Sequence, residues 1–316
     1  MKVLANDGIS VAGKEKLEDA GFEVITTKVA QEQLVKYINE HDVSALLVRS
    51  ATQVDKNLID DCSGLKLIGR GGVGMDNIDV SHAKSKNIHV INTPAASSES
   101  VAELVIGHLL TGVRFLADAN RNMPLEGDSK FKQLKKTYQK GVELKGKTLG
   151  VIGFGRIGQS VAQRAIGLGM TVIFYDRYPD ERELTLSFFD GQKVSFKLSG
   201  ISMDELLQKS DFISIHVPQT SGYVIGAGEI ERMKPGVGII NAARGGVLDE
   251  VALVDALDKG KIAFAGLDVF ESEPSPEIKI LMHPKISLSP HVGGSTVEAQ
   301  DRIGLELAEQ IITILN

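Results

Sequence analysis

Cysteine occurs once in this chain, at Cys62, so no disulfide can form within it, and a reducing cytoplasm is the expected setting. No histidine neighbours it in sequence, which leaves Cys62 as a small buried apolar residue rather than a nucleophile. Long apolar runs are missing too. None reaches the roughly 18 residues needed to span a bilayer, and Met1-Lys2-Val3-Leu4-Ala5-Asn6-Asp7 lacks the apolar stretch of a secretory leader. No membrane and no secretory route are therefore expected. Basic blocks are absent and the formal net charge is -6, which argues against a nucleic-acid partner on electrostatic grounds. There is no repeat with a period of roughly 20–50 residues, no low-complexity tract, and no metal site is assigned.

What is present reads as a two-domain chain. A length of 316 residues suggests two domains, and 42% hydrophobic with 24% charged residues is an ordinary globular balance. Glycine exceeds its usual share of roughly 7%. Many of the 33 glycines fall at predicted strand ends, where backbone turns sharply or approaches a ligand. Residues 1–95 alternate apolar runs with amphipathic stretches: strands are predicted at 2–4, 22–26, 45–48, 65–68 and 89–91, helices at 11–18, 31–39, 56–61 and 80–86. A second series has strands at 148–152, 171–175, 212–216, 237–241, 263–267 and 286–289. Two βα series with short loops predict an α/β fold of two doubly wound parallel sheets.

Between the series, 98–116 reads as one long helix, with Val101, Leu104, Val105, His108 and Leu109 at helical spacing. The stretch 121–143, interrupted by Pro124, Gly127 and Gly141, is too polar to form core and reads as an arm over a partner subunit or a substrate mouth. Ser295 with Glu298 three residues on is a capping box and predicts the start of the last helix. One stretch breaks the alternation. Two β-prone runs flank Asp190-Gly191 within 184–198, a hairpin signal placed just after Asp176.

The turn Gly153-Phe154-Gly155-Arg156-Ile157-Gly158 lies between a strand and a helix, and the next strand ends in Asp176. In this context Gly153 permits the tight turn, Gly155 lets backbone approach a pyrophosphate, and Gly158 allows close helix–strand packing. The helix N-terminus offers free N–H groups to the anion. The Asp176 carboxylate is suited to accept from both ribose hydroxyls and would repel a 2′-phosphate, which favours NAD over NADP.

Arg244, Glu273 and His291 each sit in a loop bounded by glycine or proline. Arg244 follows an apolar strand, where open α/β sheets bind ligands, and its planar guanidinium matches a carboxylate. His291, between Pro290 and Gly293-Gly294, is the residue type suited to proton exchange with a hydroxyl. Glu273 beside Pro274 is suited to hold the other imidazole nitrogen. His216-Val217-Pro218 at another strand end reads as cofactor contact, while His41, His82, His89, His108 and His283 have no comparable setting.

These motifs, with Val48-Arg49-Ser50-Ala51-Thr52, Gly69-Arg70-Gly71-Gly72-Val73-Gly74, Ile91-Asn92-Thr93-Pro94, Asn241-Ala242-Ala243-Arg244-Gly245-Gly246, Leu267-Asp268-Val269-Phe270 and Pro290-His291-Val292-Gly293-Gly294, resemble the D-isomer-specific 2-hydroxyacid dehydrogenases over nearly the whole chain. The resemblance implies a flavodoxin-like substrate domain from 1–97 and 296–316, a Rossmann NAD-binding domain from 98–295, an active site in the cleft between them, and a homodimer built on the nucleotide domain. It places Arg156, Ile157, Asp176, Val217, Ala242, Asp268, Gly293 and Gly294 against NAD, with His216, Pro218 and Ala243 beside them. It assigns Arg244, Glu273 and His291 to catalysis. It gives the substrate carboxylate the N–H groups of Val73 and Gly74, with Ser50 and Asn92 nearby.

Arg49, Arg70 and Lys136 are the cations available for a phosphate, and Arg49 in its Arg-Ser-x-Thr setting tilts the expectation to oxidation of 3-phosphoglycerate. The alternatives are a reductase of glyoxylate, hydroxypyruvate or a lactate-type keto acid, and an NAD(H)-sensing binding protein on the same scaffold. Three departures stand out against the family pattern: a longer stretch from Asp176 to Asp204, a shorter loop from Pro218 to Ile225, and an end at Asn316 without the regulatory domain of longer members. Feedback by serine is therefore not expected.

Overall fold

Successive residues of the strand Val43–Val48 feed two different cores: Leu46 and Val48 pack on one side of the sheet, Ala45 and Leu47 on the other. Strands buried on both faces carry near-continuous apolar runs, which is why the sheet is parallel and covered by helices on both sides. The computed structural model describes residues 1–178 and 181–316, and these divide into Met1–Ser100 with Gly294–Asn316, and Val101–Gly293.

In the first unit, β1 (Lys2–Ala5), β2 (Glu23–Ile25), β3 (Val43–Val48), β4 (Leu67–Arg70) and β5 (His89–Asn92) form a parallel sheet in the order β2-β1-β3-β4-β5. This is the flavodoxin-like order. Leu34, Ile38 and Ile59 cover one face; Leu17, Ile303, Leu307 and Ile311 cover the other. The helices Val11–Asp19 and Val297–Leu315 touch through glycine. A Cβ on Gly13 would lie 2.6 Å from the carbonyl carbon of Gly304, so any larger residue there would force the helices apart. The last helix is capped by Thr296, whose hydroxyl accepts from the Ala299 N–H, and not by Ser295 as the capping-box pattern predicts. Only Ser295 has the acidic residue three positions on, yet Thr296 takes the cap with Ala299 in that place.

In the second unit, β6 (Thr148–Ile152), β7 (Thr171–Tyr175), β10 (Phe212–Ile215), β11 (Val237–Asn241), β12 (Ile262–Leu267) and β13 (Ile286–Leu288) form a parallel sheet in the order β13-β12-β11-β10-β6-β7. The two remaining strands, β8 (Arg182–Ser187) and β9 (Lys193–Leu198), make the expected antiparallel hairpin, with Gly191 at φ 85° in its turn. A six-stranded dinucleotide sheet normally has a third strand outside its second. Here, among the described residues, a single bridge from Phe174 to Gly200 occupies that edge of β7, and the hairpin takes up the intervening chain. Leu184 anchors the hairpin in the core under Phe174, and Gln163 Nε2 donates to the Thr185 carbonyl at 2.8 Å.

The structure corrects two readings of the middle of the chain. The long helix runs from Ser98 to Val113 and stops at Phe115, which adopts a left-handed conformation at φ 56°. The polar arm is not a loop. It contains the helices Leu116–Glu126 and Phe131–Tyr138, tied together by the Tyr138 hydroxyl donating to Asp118 Oδ2 at 3.0 Å and by Asn122 Nδ2 donating to Tyr138 Oη at 3.1 Å. Only Leu134 of these helices is buried, so their apolar stripe is too thin to read from composition. Among the described residues no single helix is long and apolar enough to cross a membrane.

Candidate active site

The carboxyl ends of six parallel strands carry the site. After β6, Gly153 adopts φ 89°, and a Cβ there would lie 2.5 Å from the His216 carbonyl oxygen. Gly158 is equally constrained, since its Cβ would sit 2.2 Å from the Gly153 oxygen. Gly155 differs: a Cβ on it would meet nothing within 4 Å. It is the N-cap of the helix Arg156–Gly167 and supplies no side-chain partner, so the first N–H groups of that helix face open space. An uncapped helix start of this kind has the geometry that accepts an anion. Asp176, at the end of β7, folds back onto the same turn; its Oδ2 accepts from the Phe154 N–H at 2.7 Å and its Oδ1 from the Tyr178 N–H at 3.2 Å. Each oxygen has further accepting capacity beyond these contacts.

His216, at the end of β10, pairs its Nε2 with Ser214 Oγ at 2.7 Å. Its Nδ1 is enclosed and has no partner among the described residues. Burial pushes this imidazole down to about 3, so the ring is neutral. Val217, half-buried against the core, and exposed Pro218 follow it at the same strand end.

After β11 the chain turns tightly. Asn241 Oδ1 accepts from the Ala243 N–H at 3.1 Å, Asn241 Nδ2 donates to the Arg244 carbonyl at 3.0 Å, and Arg244 Nη1 donates to the Ala243 carbonyl at 2.7 Å. Arg244 is half-buried. A Cβ on Gly245 would fall 1.8 Å from the Phe270 carbonyl oxygen, so this loop is in backbone contact with the loop after β12.

That second loop carries Glu273. Its Oε1 accepts from the Phe270 N–H at 3.0 Å and its Oε2 lies 2.8 Å from His291 Nδ1. An ionised carboxylate only accepts, so Nδ1 carries the proton and Nε2 keeps its lone pair. Nε2 has no hydrogen-bond partner among the described residues. A hollow of about 410 Å³, walled by Phe270, Pro274, Pro276, Leu281, Leu288 and Pro290, adjoins the pair.

Asp268 shapes the turn that holds His291. Its Oδ1 accepts from Ser289 Oγ at 2.6 Å and from the Val292 N–H at 2.9 Å, its Oδ2 from the Gly293 N–H at 2.8 Å, and its carbonyl from the His291 N–H at 2.8 Å. His291 itself sits at φ 55°, a left-handed conformation that a β-carbon disfavours by roughly 1–2 kcal/mol. The hydrogen bonds from Asp268 offset that cost. Sequence reading missed a further brace: Glu250 and Glu271 each accept the other's backbone N–H, at 2.9 and 3.0 Å. Burial raises the Glu250 pKa, helped by the neighbouring carboxylates of Glu271, Glu277 and Glu273. Nothing in the local sequence signals that reciprocal contact.

In the first unit, Asn77 gathers the residues expected to meet substrate. Its Nδ2 donates to the carbonyls of Arg49 at 2.8 Å and Thr52 at 2.6 Å, and its Oδ1 accepts from Arg70 Nε at 3.2 Å. Asp7 accepts the N–H groups of Arg49 and Thr52 at 2.7 and 3.1 Å. Arg70 also donates from Nη1 to the Gly71 carbonyl at 2.7 Å, so its guanidinium turns into its own loop. Arg49 is different. Its Nη2 reaches Ser295 Oγ at 3.5 Å, and it has no carboxylate partner among the described residues. Val73 and Ser50 are exposed, Gly74 is half-buried, and Asn92 Nδ2 donates to the Val73 carbonyl at 2.7 Å. No group of three or more histidine, cysteine or acidic side chains among the described residues is placed to hold a metal.

Residues 106–293 match the family model described as D-isomer specific 2-hydroxyacid dehydrogenase, NAD binding domain. The hydroxypyruvate reductase of Thermotoga maritima is 46% identical, over 92% of this chain and 90% of its own length. The D-3-phosphoglycerate dehydrogenase of Methanocaldococcus jannaschii is 42% identical over 100% of this chain, but the chain spans only 57% of that relative. Among solved structures, D-lactate dehydrogenase from Aquifex aeolicus, complexed with NAD and lactic acid, superposes with a TM-score of 0.74 at 31% identity, covering 98% of this chain and 93% of that one.

Proposed function

Because the chain belongs to the D-isomer specific 2-hydroxyacid dehydrogenase family and its cofactor is NAD, we propose that it interconverts 3-phosphoglycerate and phosphohydroxypyruvate, with Arg244, Glu273 and His291 as its catalytic residues. The observation that carries the chemistry is the 2.8 Å contact between His291 Nδ1 and Glu273 Oε2. It leaves His291 Nε2 as a base for the hydroxyl proton, and Glu273 then stabilises the imidazolium. When bound, NAD supplies the hydride acceptor at its nicotinamide ring. Arg244 offers a planar pair of donors to the substrate carboxylate, and the backbone N–H groups of Val73 and Gly74 are assigned to the same group. Gly155 and the helix start behind it receive the pyrophosphate, while Asp176 takes the ribose hydroxyls and disfavours a 2′-phosphate. Arg49, with no acidic partner among the described residues, is assigned to the substrate phosphate.

A second reading, reduction of hydroxypyruvate, has its own support. The Thermotoga maritima relative matches this chain over almost its full length, and Arg70 spends donors on its own loop. NADH oxidation with phosphohydroxypyruvate, hydroxypyruvate, glyoxylate and pyruvate separates the two. The proposal expects the highest kcat/KM with phosphohydroxypyruvate, and a preference for hydroxypyruvate replaces it with the second reading. Tight NADH binding without turnover of any keto acid would return the chain to an NAD(H)-sensing role. A cytoplasmic homodimer is the assembly this reading expects, with exposed Leu125 and Phe131 as candidate contact residues, and light scattering checks the subunit number.

A further inference from the structure

His108 lies on the helix Ser98–Val113, away from every motif of the site, yet both of its ring nitrogens are engaged. Nδ1 lies 2.8 Å from Ser287 Oγ and Nε2 lies 2.9 Å from Ser289 Oγ. The two serines are alternate residues of β13 and its extension, so both point to the same side of the sheet. The histidine is 4% exposed, and the opposing backbone leaves no slack: a Cβ on Gly266 would lie 2.6 Å from His108 Cβ. Burial lowers the pKa of the ring, so it is neutral and carries one N–H and one lone pair.

The Ser289 hydroxyl decides which nitrogen holds the proton. Its own proton is committed to Asp268 Oδ1 at 2.6 Å, because a carboxylate only accepts. Ser289 Oγ must therefore accept from His108, which places the ring proton on Nε2 and leaves Nδ1 to accept from the Ser287 hydroxyl. The donors run one way, from Ser287 through His108 and Ser289 to Asp268. Asp268 in turn holds the N–H groups of Val292 and Gly293 and, through its carbonyl, that of His291.

We propose that His108 is a positioning residue for the His291 turn, acting through the Ser289 hydroxyl and the Asp268 carboxylate. The proposal rests on His291 being the proton-exchanging group. A leucine would fill a similar volume without desolvating an imidazole, so packing alone does not account for a histidine here. A hydrogen-bonded chain with every member satisfied fixes one geometry and resists rearrangement.

The test is a double-mutant cycle read by steady-state kinetics on the full chain. His108→Leu lowers kcat on the order of tenfold through misplacement of the His291 ring, with KM and the NADH dissociation constant within about twofold of the parent. His108→Gln, whose amide can donate to Ser289, recovers most of that loss. In a Ser289→Ala background His108→Leu has no further effect on kcat. Additive losses, or equal losses for Leu and Gln, overturn the proposal. A second measurement needs no variant and no turnover: nitrogen-15 histidine spectra of the parent chain show a neutral Nε2–H ring for His108 between about pH 7 and 8. A neutral Nδ1–H ring or an imidazolium there overturns the relay. If the Nε2–H signature is present and no keto acid is reduced, the functional reading fails and the relay geometry holds.

Discussion

His291 Nδ1 and Glu273 Oε2 meet at 2.8 Å although 18 residues separate them in sequence. The contact exists because two strand-end loops converge. One is held by Asp268, and the other by the Phe270 N–H on Glu273 and by the Glu250–Glu271 exchange. Replacing His291 with Ala should lower kcat about 10²–10⁴-fold and leave NADH affinity nearly intact. Glu273→Gln keeps the shape and loses the charge that stabilises the imidazolium, so a kcat loss on the order of 10²-fold is expected. Stopped-flow reduction of keto acid and NADH fluorescence titration measure the two effects. A variant that binds NADH poorly but still turns over would remove His291 from the acid–base role.

The three glycines of the dinucleotide turn should fail in different ways when substituted. Gly158→Ala drives a Cβ to 2.2 Å from the Gly153 oxygen, and overpacking of this kind costs about 1–3 kcal/mol of stability. Gly155→Ala meets no protein atom within 4 Å, so its melting temperature should stay near that of the parent while NADH affinity falls, because the methyl occupies ligand space. Calorimetry and NADH titration on both variants decide it. A Gly155→Ala protein with unchanged NADH affinity would move the pyrophosphate elsewhere.

Arg49 offers a selective test of substrate charge. If it holds a phosphate, Arg49→Ala should raise KM for phosphohydroxypyruvate by roughly 10- to 100-fold, the worth of a charge-assisted contact. KM for hydroxypyruvate should change little. Equal effects on both substrates would assign Arg49 to a group they share.

His216 predicts a pH dependence of stability. Its imidazole is held down at about 3 against an ordinary 6.5, so the unfolded chain binds the proton first. The stabilisation from the neutral buried ring is complete above pH 6.5 and is lost progressively as pH falls from 6.5 toward 3. His108, lowered by the same cause, acts in the same direction. Melting temperature should therefore drop over this window, and His216→Leu should remove part of the slope, a few kcal/mol at most. Thermal melts across the window, parent against variant, supply the measurement. An unchanged slope would place the acid sensitivity elsewhere.

Much of this molecule is legible without coordinates because its signals are local. Asp190-Gly191 between β-prone runs announced the hairpin, and Gly191 does take the positive φ that such a turn needs. The spacing of Gly153, Gly155 and Gly158 announced three different steric demands: Gly153 takes a positive φ, Gly158 has a backbone oxygen against its Cβ position, and Gly155 borders open space. Where two neighbours are both hydroxyl residues, sequence fails: only Ser295 completes the capping-box pattern, yet Thr296 takes the cap. The helices at Leu116–Glu126 and Phe131–Tyr138 were hidden because Pro124, Gly127 and Gly141 read as loop signals and only Leu134 of their residues is buried.

Side-chain partnerships at long range lie beyond any pattern in one sequence. His108 looked featureless, yet Ser289 waits for it 181 positions later; Arg49 and Arg70 looked equivalent, yet only one has a guanidinium turned into its own loop. Residue chemistry and short-range spacing determined the strands, the glycine turn and the candidate acid–base residues, because backbone sterics and hydrogen-bonding capacity act within a few positions. Which donor meets which acceptor was decided by the tertiary structure, because sheet order and loop convergence bring together groups that the chain itself keeps apart.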